Sequence, residues 1–398
     1  MRVQTLYSGL LLTFALGFGV SHLASNTAKQ EPNKRPVARN RVATAAPRHP
    51  LWPGSRFTEE DRDRAVHRAL RFIYHTARNP RNFSDHGHDY LWCFYTTAEA
   101  MKDEKLRRTA WRMGVELARR WRARHPSVPR NADVDTVELL AFGNQTVGEL
   151  GFADARIKKE IALAAARFTA RDYLNFDPIT EPPPSDVPAV CPKCGAYNSR
   201  GVTVCTVCKT PLEMMSRYGV WYEALIATWS GDLYGVKLGA HYADVLKWLP
   251  RMRPYRGRED GNNSDFYDSV FAVAHVVYTL NDYSIYKLSP ALLPQEFRFL
   301  KSSVKDAIAT DDSEMLGEIL DSLKSFGMTN DDPEIRAGME YLLSHQNPDG
   351  SWGDPTEKDI YARYHPTWTA MDGLSEYAWR GEGLSFPELK PWLEKWAR

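Results

Sequence analysis

The chain has 398 residues, of which 43% are hydrophobic, 12% aromatic and 25% charged, a composition that is typical of globular proteins with a large core and excludes disorder throughout. Lysine and arginine total 51, aspartate and glutamate total 50, and the formal net charge is +1. A net charge this close to zero provides no global field that would attract nucleic acid, so we expect no nucleic-acid partner.

The chain opens with a hydrophobic segment. Residues 6–23, LYSGLLLTFALGFGVSHL, contain no Asp, Glu, Lys or Arg and are close to the minimum length for a helix that crosses a bilayer. Such a run is either a membrane anchor or a signal that is removed. His22 lies where a cleavage site needs a small residue, so an uncleaved anchor that comprises residues 1–24 is favoured. We therefore predict a single N-terminal anchor at the membrane, with lipid as its partner through residues 6–23.

A basic, Pro/Ala-rich stretch comes next, at residues 25–50, with Glu31 as its single acid. This composition predicts a flexible tether that can touch anionic lipid head groups. Two arguments about the side of the membrane oppose each other. Arg2, ahead of the apolar run, favours export of the chain beyond the run, whereas the heavier basic flank after the run favours an inward C-terminal part. The sequence leaves the side open.

The remainder, residues 51–398, is predicted to be one helical domain, because strand signals are nearly absent from residue 58 onward. Its first helix opens with the capping signal Thr58-Glu59-Glu60-Asp61. The predicted helices cover residues 58–76, 90–101, 104–124, 134–150, 153–174, 212–233, 239–252, 264–280, 294–309, 313–326, 333–346, 367–380 and 387–397. About a dozen helices with short links predict an all-α fold of stacked helical hairpins. No fixed repeat period supports a solenoid, the competing architecture.

Four of the five cysteines lie in the segment CPKCGAYNSRGVTVCTVC, as two CxxC pairs: Cys191, Cys194, Cys205 and Cys208. Two thiolate pairs on tight turns suit tetrahedral Zn²⁺, and Gly195 and Lys209 resemble the turn residues of zinc-ribbon knuckles. Two disulfides are the alternative. We predict a structural zinc ribbon, inserted at residues 186–212, in which all four thiolates bind Zn²⁺ and whose surface docks a protein partner. The fifth cysteine, Cys93, has apolar neighbours and is predicted to be a buried thiol.

Two stretches point to an interior. Residues 270–280, VFAVAHVVYTL, are apolar nearly all round, which predicts a helix buried on every side. Asp268, His275 and Asp282 recur every seven residues along it. This stripe either faces a cavity, which makes His275 a candidate catalytic residue, or joins a structural histidine to two acids at solvated helix ends. Aromatic residues are dense in residues 218–248, where they either line a cavity for an apolar ligand or fill the core.

A motif near the C-terminus carries a resemblance to a known family. Residues 336–352, RAGMEYLLSHQNPDGSW, combine a helix, a Pro-Asp-Gly stop and a tryptophan. The segment resembles the QW repeat of triterpene cyclases at Arg336, Tyr341, Leu342, Gln346, Gly350 and Trp352. In that family the Gln and Trp brace the outer helix ends, so the resemblance implies an α/α toroid of about six helical hairpins. An ordinary helix that ends in a turn is the alternative.

A second segment, Asp133-Val134-Asp135-Thr136, is similar to the Asp-x-Asp-Asp motif of class II terpene cyclases. The resemblance implies that Asp135 is the acid that protonates an alkene or epoxide and that Asp133 raises its pKa, although Thr136 replaces the last acid. Crowded carboxyl groups in a dry site keep one of them protonated. The alternative is that Asp133 is only the N-cap of the following helix.

Two functions remain open. The first is a terpenoid cyclase-like enzyme that acts on an apolar, isoprenoid-like small molecule by acid-initiated chemistry, with Asp135, Asp133 and His275 as its catalytic residues. The second is a membrane-tethered, non-catalytic module that binds a ligand or protein. The enzyme requires Asp135 or a histidine on the wall of an enclosed cavity. A second metal site, built from the scattered histidines His86, His88, His241, His275 and His365, is a further hypothesis.

Overall fold

The computed structural model describes residues 49–258 and 265–398, and these residues form an all-α protein. Within these two ranges there is no β-strand, and only isolated β-bridges occur. The predicted anchor and nearly all of the tether lie outside the described ranges. None of the described helices combines the length and the hydropathy that a membrane span needs.

The α-helices of the described ranges are α1 (Glu59–Arg78), α2 (Pro80–Ala100), α3 (Glu104–Arg124), α4 (Val134–Val147), α5 (Ala155–Ala165), α6 (Ala170–Leu174), α7 (Arg217–Tyr234), α8 (Tyr242–Leu246), α9 (Leu249–Met252), α10 (Phe266–Asn281), α11 (Pro294–Ala309), α12 (Ser313–Ser325), α13 (Pro333–His345), α14 (Tyr361–Leu374) and α15 (Lys390–Trp396). A π-helical turn succeeds α4 at Gly148–Phe152, and a 3₁₀ turn precedes α15 at Pro387–Leu389.

Local signals explain where several helices begin. The predicted capping box opens α1, because Thr58 accepts a hydrogen bond from Asp61 N and the Asp61 carboxylate accepts from Thr58 N at 2.9 Å. Helix α2 begins at Pro80 instead of the predicted residue 90, since Asn79 caps it and proline is well suited to a first helical position. Helix α14 includes Pro366 in its interior, so the predicted start at residue 367 is wrong.

Six long helices pack side by side in chain order: α2 against α4, α4 against α7, α7 against α10, α10 against α12, and α12 against α14. Helix α1 contacts both α14 and α2, the last and first of these six. Outer helices cover the joints, with α3 on α2 and α4, α11 on α10 and α12, and α13 on α12 and α14. Helix α10 is buried along nearly its whole length, which confirms the prediction for residues 270–280.

Helices α12 and α14 touch through their backbones. A Cβ atom added at Gly317 of α12 would lie 2.3 Å from the carbonyl oxygen of Thr369, and one added at Gly373 would lie 2.9 Å from Gly317 Cα. Only glycine permits this approach. The close crossing brings the inward faces of α12 and α14 together.

The QW-like segment ties three elements to each other. The Gln346 side chain donates to the carbonyl of Ala65 on α1 at 2.8 Å and to that of Gly350 at 3.0 Å. The Trp352 ring is 1% exposed, and its indole N–H donates to the carbonyl of Leu342 on α13 at 2.8 Å. These contacts fasten the C-terminal end of α13 and the turn after it to α1.

Candidate functional site

A central cavity of about 250 Å³ lies among the six side-by-side helices, and each of them contributes to its wall. Along each helix the lining positions recur every three or four residues, as with Glu314, Glu318 and Asp321 on α12. The wall is rich in acids. Eight carboxyl side chains line it: Asp89, Asp135, Glu138, Glu223, Glu314, Glu318, Asp321 and Asp372.

Three of these acids crowd together where α4 meets α7. Burial raises the pKa of Glu138 to about 8, and the nearby Asp135 adds to the effect. Burial also raises the pKa of Glu223 to about 8, with Glu138 and Asp268 as further causes. Burial and the neighbouring acids thus favour the protonated form of Glu138 and of Glu223. The crowding that the sequence predicted around Asp135 exists, but with Glu138 and Glu223 as partners that sequence reasoning missed.

The two aspartates of the DVDT segment have different positions. Asp135 lines the cavity, and its pKa is raised by burial first and by Asp133 second. Asp133 itself is exposed and does not belong to the cavity wall. Its carboxylate accepts a hydrogen bond from Thr136 N at 2.9 Å and caps α4. Asp133 is thus the N-cap of α4 and also contributes to the raised pKa of Asp135, while the catalytic role of the two aspartates stays a prediction.

His275 lines the cavity and is held as a neutral ring. Its Nδ1 donates to the Phe271 carbonyl at 2.8 Å, and the ring stacks on Tyr222 with centroids 5.1 Å apart. Burial lowers the pKa of His275 to about 4. The other two residues of the predicted stripe, Asp268 and Asp282, do not line the cavity. Asp268 is buried elsewhere, and Asp282 is the left-handed C-cap of α10.

Helices α12 and α14 supply a second acidic wall that sequence reasoning missed. His365 Nδ1 lies 2.9 Å from a carboxylate oxygen of Glu314. Burial opposes the charged form of His365, but Glu314 outweighs it and raises the pKa. Glu318 is buried, and burial raises its pKa well above the ordinary value; its Oε2 has no hydrogen-bond partner in the described part of the chain. The spacing of acids along α12 was the available sequence signal.

A buried cation, Lys324, lies behind the cavity wall near Asp321. Lys324 donates to the carbonyls of Gly373 at 2.7 Å and Ser375 at 2.9 Å. Burial lowers the pKa of Lys324 to about 8. Asp321, on the cavity wall, accepts from the Ser284 hydroxyl at 2.7 Å. The two hydrogen bonds of Lys324 fix the C-terminal ends of α12 and α14 against each other.

Aromatic rings also line the cavity. They include Trp92, Tyr222, Tyr278, Tyr283, Tyr361 and Trp368. Of the aromatic residues within residues 218–248, only Tyr222 lines this cavity, whereas Trp221, Trp229 and Tyr242 are buried in the core. The core interpretation is therefore correct for most of that stretch.

The four clustered cysteines converge on one point. Their sulfur atoms all lie within 4.8 Å of one another. The pairs Cys191–Cys208 and Cys194–Cys205 are 3.4 and 3.6 Å apart, close to the spacing of about 3.8 Å between thiolates at the corners of a tetrahedron with metal–sulfur bonds of about 2.3 Å. A disulfide requires about 2.05 Å, and all four cysteines are free. The group fits a metal ion.

The turns around these cysteines have the form of matched knuckles. Gly195 N donates to the Cys191 carbonyl at 2.9 Å, and Lys209 N donates to the Cys205 carbonyl at 3.0 Å. Both Gly195 and Lys209 have left-handed φ angles, of 67° and 63°. Backbone N–H groups, first that of Cys208, hydrogen-bond to Cys205 and lower its pKa, whereas the pKa of Cys194 is raised: the backbone N–H of Ala196 lowers it, but hydrogen bonds with the other cysteine sulfurs outweigh that effect.

No second metal group exists among the described residues. The four cysteines form the one cluster of at least three His, Cys, Asp or Glu side chains, within residues 49–258 and 265–398, that is arranged to hold an ion. His88, His275 and His365 line the cavity, but His241 is exposed and bonds to Asp232. The histidines predicted as possible ligands are thus partly gathered, without forming a site for metal.

The cysteine segment also reaches the cavity, which sequence reasoning did not foresee. Tyr197 lies between the two CxxC pairs and lines the cavity while 40% of its surface is exposed. It therefore stands at the cavity mouth.

Comparisons with known proteins give no identity: no protein family matches this chain, and neither does any curated protein or solved structure.

Proposed function

We propose that the chain is an enzyme whose six cavity-lining helices form an α/α toroid and whose cavity carries out general-acid chemistry. The observation that carries this proposal is the pair Glu138 and Glu223, two carboxyl groups on one cavity wall whose pKa values are both raised to about 8. A protonated carboxyl group beside other acids is the arrangement that general-acid catalysis uses. A module that only binds a ligand has no need of it.

The acid strength favours one kind of reaction. A general acid works best when its pKa is near the working pH, so Glu138 suits proton donation to an oxygen leaving group. Protonation of an alkene calls for a much stronger acid. Departure of the leaving group creates positive charge on carbon, which ionised carboxylates and aromatic faces in the cavity stabilise. We therefore propose hydrolysis of a carbon–oxygen bond through an oxocarbenium-like transition state: the leaving oxygen takes the proton of the acid, and water then adds to the carbon and gives up a proton to the ionised carboxylate.

The lining also favours a hydroxylated substrate of the sugar class. Several of the eight carboxyl groups, with Glu318 and Asp372 among them, have an oxygen that needs a hydrogen-bond partner once a ligand has displaced water, and a hydrocarbon offers none. Each buried polar group left without a partner costs about 1 to 3 kcal/mol. Hydroxyl groups satisfy the acids, and the apolar face of a sugar ring packs on side chains such as Tyr222 and Trp368.

One observation keeps the terpenoid cyclase-like function as a second candidate. Asp135, the residue on which the class II resemblance places the acid, lines the cavity, and Asp133 contributes to its raised pKa. In this candidate Asp135 protonates an apolar, isoprenoid-like substrate, and the aromatic rings stabilise the carbocation. The weak point is the number of acids that an apolar substrate would leave unpaired.

Leaving-group dependence tests the first candidate. Glu138→Gln and Glu223→Gln should each be assayed on aryl glycosides whose leaving groups differ in pKa. One of the two glutamates is the general acid, and we expect its replacement to lower kcat/KM at least about 100-fold for poor leaving groups and much less for good ones. General-acid catalysis contributes about 10²- to 10⁴-fold. Glu104→Gln, on the exposed surface of α3, is the matched control.

Equal losses for good and poor leaving groups in both variants would refute the general-acid role. The same purified protein should be offered squalene-like and polyprenyl substrates, alone and as Asp135→Asn. Conversion that depends on Asp135, with no activity on glycosides, would favour the cyclase candidate. Inactivity on both substrate classes would favour the non-catalytic module.

We also propose that the cysteine cluster holds one structural Zn²⁺. Four thiolates at tetrahedral spacing satisfy zinc completely and leave no open position for catalysis. Metal analysis of the purified protein should find about one zinc per chain. A metal-free protein with these cysteines in disulfides would contradict the proposal. Residues 6–23 remain the proposed membrane anchor of the enzyme.

A further inference from the structure

The cavity mouth includes a side chain from the ribbon. Tyr197 comes after the first knuckle, three residues beyond Cys194, and it is the residue of the 186–212 segment that lines the cavity. It is 40% exposed, so its ring is in contact with the cavity on one side and with solvent on the other. A ligand that enters the cavity here passes an aromatic surface that the helices do not supply.

The backbone around Tyr197 is fastened to both knuckles. On one side, the Ala196 carbonyl accepts a hydrogen bond from Cys191 N at 3.1 Å. On the other side, the Asn198 side-chain oxygen accepts from Thr206 N at 2.8 Å and from the Thr206 hydroxyl at 3.0 Å. Cys191 belongs to the first knuckle, and Thr206 lies within the second. The position of Tyr197 thus depends on how the two knuckles are held relative to each other.

Without a metal the four cysteines take up protons and only weak S–H contacts join the two knuckles, whereas a bound cation holds all four sulfur atoms together. We propose that the metal-bound ribbon is a part of the substrate site: it positions Tyr197 at the cavity mouth, where the ring covers the opening and stacks on a sugar-class ligand. This inference rests on the proposed function for the identity of the ligand. It gives the ribbon a role in substrate binding in addition to stability.

Access to the cavity histidines tests this position without any turnover. Diethylpyrocarbonate modifies neutral histidine rings, and peptide mass spectrometry gives its rate at each site. In the full chain, Tyr197→Ala should raise the modification rate of His275 and His88 at least about threefold, whereas Tyr197→Phe keeps the ring and should match the wild type. His345, exposed on α13 and outside the cavity, is the internal control and should not change.

Metal removal should act through the same ring. Stripping the metal with a chelator, verified by metal analysis, should raise the rates at His275 and His88 in the wild type as far as Tyr197→Ala does. It should add little in Tyr197→Ala itself. Circular dichroism checks that the helices remain folded, because the ribbon lies in the connection between α6 and α7. A double variant, Cys205→Ser with Cys208→Ser, gives the same comparison without a chelator.

The outcomes separate the two proposals. This inference would be overturned by unchanged modification rates of His275 and His88 in Tyr197→Ala. It would also be overturned if metal removal raised these rates equally in the wild type and in Tyr197→Ala. Neither result bears on the general-acid chemistry. The expected rates, together with failure on every glycoside, would retain the metal-positioned mouth and reject the proposed reaction. Once a glycoside substrate is found, Tyr197→Ala should raise KM at least about fivefold with little change in kcat, and Tyr197→Phe should restore it.

Discussion

Replacing Gly317 by alanine tests the crossing on which the cavity depends. The added Cβ would lie 2.3 Å from the Thr369 carbonyl oxygen, 2.4 Å from its carbon and 2.6 Å from Ala370 N. Ordinary contact begins near 3.4 Å, so α12 and α14 must separate by about 1 Å. All three atoms belong to the backbone, which cannot rotate away as a side chain can.

The expected cost is the difference between two opposing contributions. Overpacking a well-packed interior costs about 1 to 3 kcal/mol, and three backbone overlaps place Gly317→Ala at the upper end. Replacing glycine by alanine within a helix stabilises the helix by about 1 kcal/mol. We therefore expect the free energy of unfolding to fall by about 2 kcal/mol, measured by urea denaturation.

Gly148→Ala is the matched control, because its Cβ would meet Ala153 at 3.9 Å, an ordinary contact in a helical backbone. It should be neutral or slightly stabilising. Separation of α12 from α14 should also move Glu314 away from His365, so Gly317→Ala should lower the pKa of that histidine, measured by NMR titration. A Gly317→Ala protein as stable as the wild type would refute the backbone contact between the two helices.

Three further predictions concern single side chains. The folded-state pKa of Glu138 is raised from 4.5 to about 8, so the free energy of unfolding of the wild type, measured by urea denaturation, should fall as pH rises through this window. Glu138→Gln should show a smaller fall. An equal fall in both proteins would mean that Glu138 is not a buried acid. Trp352→Phe removes the hydrogen bond to Leu342 and should cost about 1 to 2 kcal/mol, and no loss would exclude the brace. Thr58→Ala removes the cap of α1 and should cost about 1 kcal/mol, and an unchanged urea midpoint would contradict it.

Local chemistry was sufficient for much of the fold. Helix α3 has the predicted bounds, because Asp103 caps it by accepting from Lys105 N and Leu106 N. Helix α11 also has its predicted bounds, with Pro294 at its first position. The CxxC spacing predicted the cysteine cluster, since two residues between cysteines form a tight turn regardless of what surrounds it. Each of these signals acts within a few residues of the chain.

The interior faces of the helices were not readable in the same way. Helix α10 is apolar nearly all round, so its pattern did not show that His275 faces the cavity while Asp268 does not. Pro366 indicated a helix start, but α14 begins earlier, at Tyr361, and includes the proline. Tyr364 packs against α2 there, and its hydroxyl donates to Asp89 at 2.7 Å. In both helices tertiary contacts outweigh the local pattern.

The candidate site depends on residues that are distant in sequence. The sequence marked Asp135, but the raised pKa values of Glu138 and Glu223 arise because α4 packs against α7, which partly buries both carboxyl groups and brings them near each other. The two CxxC pairs predicted a metal site, but nothing in their spacing placed Tyr197 at the mouth of a cavity built by other helices. Turns and caps arise from neighbours along the chain, whereas burial and crowding of charge arise only when separate helices meet in space.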